Sequence, residues 1–163
     1  MATEWTAFDF KNSLVTKTIA AIAAAMPAYD PVPKVVSYFP SPDEDNGDSV
    51  AIGWNMTDDT ERIALGEQQR QDEFVIVSCR VNVTRPGAGE TIAQAAETRA
   101  ALLMGEVDNV IRTDPPSVGD QTFRSKLTNR NSVSMAWFVG EGVPARRCVI
   151  EFDIEYRART SKN

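Results

Sequence analysis

The 163-residue chain contains no histidine and only two cysteines. Without histidine there can be no Ser-His-Asp triad, no Cys-His pair, no His-ligated zinc and no imidazole acid or base. Cys79 and Cys148 each sit among alternating apolar residues. That setting predicts two buried thiols acting as small hydrophobes, and two sulfurs alone do not complete a metal site. Long apolar runs are also missing. The longest, Ile19 to Pro27, falls well short of the ~20 residues that span a bilayer. The opening Met1-Ala2-Thr3-Glu4-Trp5 has no basic start and no apolar block of signal length, so nothing there predicts secretion. A basic excess is absent as well. The net charge is −6 and the isoelectric point is near 4.7, which argues against a general nucleic-acid binder.

What remains is ordinary globular composition, with 42% hydrophobic and 25% charged residues, at a length that suits one domain. Leu14, Val15, Thr18, Ile19, Ile22 and Met26 recur at helical spacing, which predicts a helix over Lys11–Met26 ended by Pro27. Before it, Trp5, Phe8 and Phe10 form an aromatic N-terminal arm (residues 1–10) that either staples back on the core or docks on a neighbour. Lys34–Phe39 and Asp48–Trp54 read as two strands joined into a hairpin by the acidic turn 40–47. Residues 55–72 read as an exposed polar loop. Glu73–Thr84 is the clearest strand, with Val75, Val77, Cys79, Val81 and Val83 on one face.

Arg85-Pro86-Gly87-Ala88-Gly89 breaks that strand. Thr91 and Gln94 then match a capping box, and a second helix is expected to run to about Thr113, where Asp114-Pro115-Pro116 stops it. Strands at about 122–128, 132–139 and 146–157 close the chain, with a short C-terminal tail at 159–163. The order predicts an α+β single domain, a mainly antiparallel sheet with two principal helices packed on one face.

Motifs for chemistry were tested in turn. Asp43-Glu44-Asp45-Asn46-Gly47-Asp48 fails the EF-hand pattern, which requires glycine at its sixth position and glutamate at its twelfth; Asp48 and Trp54 stand there. The glycine turn at 87–89 has Glu90 where a phosphate loop needs lysine. Glu151, Asp153 and Glu155 share a strand face and could in principle do acid–base work, but alternating charge on an exposed strand explains them. No catalytic residue, metal or cofactor is expected.

Charge is divided along the chain. Residues 40–73 hold ten acidic and two basic groups, whereas residues 121–163 hold eight basic and four acidic. The bland explanation is a solvated surface with local ion pairs. The sharper one is self-complementarity, in which the acidic region of one copy meets the basic strands of the next. Such a heterologous contact closes into a ring or grows into a filament.

Four stretches carry a resemblance: Arg70–Val77, Thr84–Ala88, Thr98–Leu103 and Asp114–Gly119. Together they make a chain that resembles the tail terminator proteins of long-tailed bacteriophages, especially those of actinobacterial hosts. The likeness extends from about Lys11 to Ala158. Pro116-Ser117-Val118-Gly119 departs from it, since a threonine-leucine-glycine-like run would be expected there. The resemblance implies a structural virion protein and no enzyme. It implies a ring, hexameric in the family, that caps the head-proximal end of the tail tube, ends its polymerisation and joins the head connector. Implied partners are further copies of the chain, the tail tube protein and a connector or stopper protein, with DNA only passing through the lumen and no membrane. The implied location is the virion tail, assembled in the host cytoplasm.

On that basis Asp43, Glu44, Asp45, Asp48, Asp58 and Asp59 are candidates for an acidic lumen or interface loop. Arg124, Lys126, Arg130, Arg146 and Arg147 are candidates for a basic subunit interface, and Trp5, Phe8 and Phe10 for a docking arm. The alternatives are a neck or head-completion protein of the same virion, or a small cytosolic enzyme or ligand-binding domain built on carboxylates.

Overall fold

The computed structural model describes residues 6–25, 32–38, 47–58, 61–65, 68–118, 121–122, 124–139 and 142–161. Helix α1 spans Thr6–Ala24 and α2 spans Glu90–Thr113. The strands are β1 (Lys34–Val36), β2 (Ser49–Asp58), β3 (Glu61–Leu65), β4 (Gln68–Pro86), β5 (Ser117–Val118), β6 (Gln121–Thr122), β7 (Arg124–Val139) and β8 (Val143–Ser161). The main sheet has the order β1-β2-β4-β8-β7, and β3 also pairs with β4. Every pairing is antiparallel except β1 with β2, and β5 and β6 form a separate two-stranded ribbon. The α+β class, the mostly antiparallel sheet and the packing of both helices on one face agree with the sequence expectation.

The core lies between that sheet face and the helices. Val75, Val77, Cys79, Val81 and Val83 of β4 interlock with Cys148, Ile150, Phe152, Ile154 and Tyr156 of β8. Above them lie Ala7, Phe10, Leu14 and Ile22 of α1 and Ala96, Ala100, Leu103, Val107 and Val110 of α2. Burying each large aliphatic side chain contributes about 1.5–3 kcal/mol. The alanines on α2 let that helix approach the β-branched sheet surface closely. A polar tie joins the helices: Lys17 Nζ reaches the Asp114 carboxylate and the carbonyls of Asp114 and Pro115, so a cation sits at the C-terminal end of α2 where the helix dipole favours it.

Several expectations are corrected. The segments read as a hairpin, 34–39 and 48–54, are instead a parallel pair, with Lys34, Val35 and Val36 beside Ser49, Val50 and Ala51. β2 gives its other edge to β4, and the expected acidic turn at 40–47 lies almost wholly outside the described residues. The polar loop expected over 55–72 is largely strand: β2 runs on to Asp58, β3 follows, and β3 pairs with the start of β4 from Glu61–Asp72 to Leu65–Gln68. β4 thus begins five residues earlier than its alternation suggests.

α1 begins by Thr6, so Phe8 and Phe10 are helical rather than part of a free arm. α2 is entered from Gly89 at φ 104° with no side-chain cap; Thr91 lies inside the helix and Gln94 Nε2 donates to Glu90 Oε1 at 3.3 Å. The two strands expected at 122–128 and 132–139 are one strand, β7. Its register shifts between Thr128 and Asn131, where Asn129 takes φ 49° in the left-handed region. That shift puts Val133 opposite Val149, on the face away from the helices, and leaves it 43% exposed. The expected C-terminal tail is strand through Ser161, paired with Arg70.

Candidate functional site

The residues singled out by charge separate into those that fold the molecule and those left at its surface. Asp48 belongs to the first group. It stands just before β2, in phase with the buried Val50 and Ile52. Its carboxylate is 1% exposed. Arg85, from the end of β4, grips both oxygens, with Nη1 2.6 Å from Oδ1 and Nη2 2.9 Å from Oδ2. Arg99, from α2, donates Nε to Oδ2 at 2.9 Å. Donating to Asp48 raises the pKa of the Arg85 guanidinium above its ordinary value. Asp48 is therefore not a lumen or interface carboxylate; it is the counter-ion that ties β2, β4 and α2 together.

Next to it, Asn82 Nδ2 donates to the Gly47 carbonyl at 3.1 Å and Asn82 Oδ1 accepts from Arg147 Nε. The Asp48 carbonyl accepts the Lys34 N–H at 2.9 Å. Arg147 is almost fully buried, and burial lowers its affinity for the proton. Two of the five basic interface candidates therefore have internal roles or positions. Arg147 braces the entry to β2, and Arg146 lies half-buried on the rung facing Arg85.

Lys126 and Arg130 remain exposed on β7. Lys126 pairs with Glu155 at 2.9 Å but its side chain is 68% exposed. Arg124 is placed on β7 by its backbone, and Asp58 closes β2. Asp43, Glu44, Asp45, Asp59 and Trp5 lie outside the described residues. Of the aromatic candidates, Phe8 is half exposed beneath the Lys11 ammonium, 5.4 Å from the ring centroid. Phe10 is fully buried and stacks on Tyr156 at 4.5 Å between centroids, so it is core and has no surface with which to dock. Tyr156 in turn donates its hydroxyl to Glu73 Oε2 at 2.8 Å. Glu73, a carboxylate 1% exposed, was missed as a special residue.

One signal in the sequence could have exposed these buried charges. Asp48 is in phase with Val50 and Ile52, Glu73 with Val75 and Val77, Arg85 with Val83, and Arg99 with the α2 stripe. A charged residue in step with an apolar face is buried and paired, or the face is not buried.

The strand carboxylates considered for acid–base work are held apart on the open sheet face. Glu151 is exposed. Asp153 accepts from Ser78 Oγ at 2.9 Å and from Asn129 Nδ2 at 3.0 Å, and Glu155 meets Lys126. On the same face the Arg157 guanidinium lies over Phe74, 4.9 Å from its centroid. These are cross-strand contacts of the kind that stabilise a sheet. Among the described residues no three His, Cys, Asp or Glu side chains gather as metal ligands. The thiols are inert: burial pushes Cys79 up to about 12, against a hydrogen bond from the Gly53 backbone, and burial also raises Cys148.

The surface features that stand out are therefore the two open edges of the main sheet. Among the described residues, β2 beyond Ala51 and then β3 pair only with β4, and at the opposite edge β7 pairs only with β8. The chain matches no protein-family model and no curated protein. Among solved structures it is similar to a chain of the virion of a native gene transfer agent particle, with 17% identity over 94% of this chain and 98% of that one, at a TM-score of 0.40.

Proposed function

We propose that this chain is a non-enzymatic structural protein of a phage-type virion, and that it forms a ring closing the head-proximal end of a tail tube. The observation that supports this reading is the resemblance, whose four stretches fall on or beside the central strand and the second helix. Arg70–Val77 opens the central strand β4 and Thr84–Ala88 closes it. Thr98–Leu103 lies in α2, and Asp114-Pro115-Pro116 follows that helix directly. The charge division supports it too: β7 carries three basic and no acidic residues, while β2 and β3 carry Asp58 and Glu61 against the single Arg62. The work of such a protein is done by surfaces. In the ring, Asp43, Glu44 and Asp45 would keep the lumen acidic, so that passing DNA is repelled rather than bound. A neck protein of the same virion is the second reading, favoured only by the departure at Pro116–Gly119.

Light scattering behind size exclusion tests the ring. A hexamer of 17.9 kDa chains has a mass of about 107 kDa, and its addition to polymerising tail tube protein should halt elongation. A monomer at every concentration, with tubes that continue to grow, would refute the reading.

A further inference from the structure

Both open edges of the sheet are long. β7 offers sixteen residues, and β2 from Ile52 to Asp58 and β3 from Glu61 to Leu65 have no ladder with β1. An open edge presents unpaired N–H and C=O groups that another strand can complete. The two edges also match in level. Across the sheet, Lys126 faces Glu155, Glu155 faces Ile76, and Ile76 faces Thr57. Arg124 leads through Arg157 to Phe74, one rung beyond the Val75–Asp58 pair. The basic end of β7 therefore stands level with Asp58 and Glu61 at the far edge.

Direction agrees as well. β7 runs parallel to β4, and β2 and β3 run against it. A rotation about an axis along the strands preserves their direction, so a neighbour's β2–β3 edge arrives antiparallel to β7. Charge selects this pairing over the symmetric ones. Two β7 edges would oppose Arg124, Lys126 and Arg130 to themselves, and two β2–β3 edges would bring together Asp58 and Glu61 of both copies, with Arg62 the one basic residue of those strands.

We propose that copies of this chain join head to tail by sheet augmentation, the free edge of β7 in one copy completing the free β2–β3 edge of the next. The inference rests on the ring reading and names the surface that closes the ring. It also explains why Lys126 and Arg130 stay exposed while Arg146 and Arg147 are drawn inward.

The test uses two charge-reversed full-length chains. One carries Arg124→Glu, Lys126→Glu and Arg130→Glu; the other carries Asp58→Lys and Glu61→Lys. Each alone presents like charges on both edges and should need at least about tenfold more protein to assemble, a difference of roughly 1.4 kcal/mol. Mixed together, the acidic β7 of one meets the basic β2–β3 edge of the other, and oligomers should return. Far-UV circular dichroism checks that each variant is folded. A second pair, Thr128→Cys and Asn55→Cys, lies on one level but three strand spacings apart within a molecule, about 14 Å, too far for an internal disulfide. Oxidation of their mixture should give a crosslinked dimer that neither gives alone. If the wild-type chain is a hexamer, reversed variants that assemble like wild type, or single-cysteine mixtures that never crosslink, overturn the edge pairing and leave the ring reading standing. A wild-type chain that is monomeric, with tubes uncapped, overturns both.

Discussion

Replacing Asp48 with alanine should be among the most damaging single changes in this protein. The carboxylate is 1% exposed and accepts three charge-assisted hydrogen bonds, two from Arg85 and one from Arg99. The Arg85 and Arg99 side chains are 25% and 10% exposed, so removal of their counter-ion leaves one guanidinium largely out of water and another partly so. Breaking a buried ion pair from one side costs about 3–5 kcal/mol. For a chain of this length that corresponds to a fall in Tm of roughly 6–20 °C.

Urea unfolding followed by tryptophan fluorescence and circular dichroism, at one fixed protein concentration, measures it. The midpoint should fall while the slope is unchanged. The triple replacement Asp48→Leu, Arg85→Met, Arg99→Met should recover most of the loss, because it removes all three charges together. The arginine side of the cluster is insensitive to ordinary pH. The Arg85 guanidinium is raised, so its contribution is complete below the normal arginine range and lost only as pH climbs through the raised value. A loss below about 1 kcal/mol for Asp48→Ala would refute the reasoning, since the charges would then not depend on one another.

Phe10→Ala should cost about 3–5 kcal/mol in the same assay, because the ring is fully buried against Tyr156; an effect near zero would restore the docking arm. Tyr156→Phe keeps the stack but strips the Glu73 carboxylate of a donor, and should cost about 1–3 kcal/mol. Neither thiol should react with Ellman's reagent in the native protein near neutral pH, whereas both should react in guanidinium. Since folding raises the thiol pKa, the unfolded chain ionises first, and stability should fall as pH climbs from about 9 toward 12. Gly53→Ala should destabilise on two grounds: Gly53 sits at φ 69°, and a Cβ there would overlap the Lys11 side chain. Adding Lys11→Ala should remove the overlap and leave the backbone strain, which melting curves of the single and double variants separate.

The sequence disclosed what periodicity can disclose. β4 and β8 alternate cleanly because one face is buried, and α2 was placed within a residue or two by its stripe and by the proline pair after it. Pairing sense is not written locally. Nothing in Lys34–Phe39 or Asp48–Trp54 says that they run parallel, because that depends on β4 holding the other side of β2. Gln68 to Asp72 holds no apolar residue, so a strand made through its backbone leaves no period in the sequence. The bulge at Asn129 reverses which face Val133 occupies, and one extra residue is invisible to a count of alternation. For the candidate surfaces, a tally of charge mixed counter-ions with exposed charges. Phase against the apolar stripes was the information needed to separate Asp48 from Lys126 and Arg130; Arg147 is out of step with Cys148 and Ile150, and its burial beside Asn82 leaves no such signal.

The long β4–β8 ladder has a consequence for biosynthesis. Its rungs run from Pro86 with Ala145 to Arg70 with Ser161, so each joins residues far apart in the chain. A ribosome that has made α1, the β2–β4 pair and α2 has made a sheet that lacks everything beyond β4. One full side of β4 waits, apolar and unpaired, until Val143–Ser161 emerges from the exit tunnel. Such non-local closure is slow. A chain stopped within α2 would present nineteen residues of open β4 to any strand nearby, including those of other nascent chains on the same message. A chain of this design can complete its sheet only when synthesis has passed Ser161, which makes translation itself the first quality control on the fold.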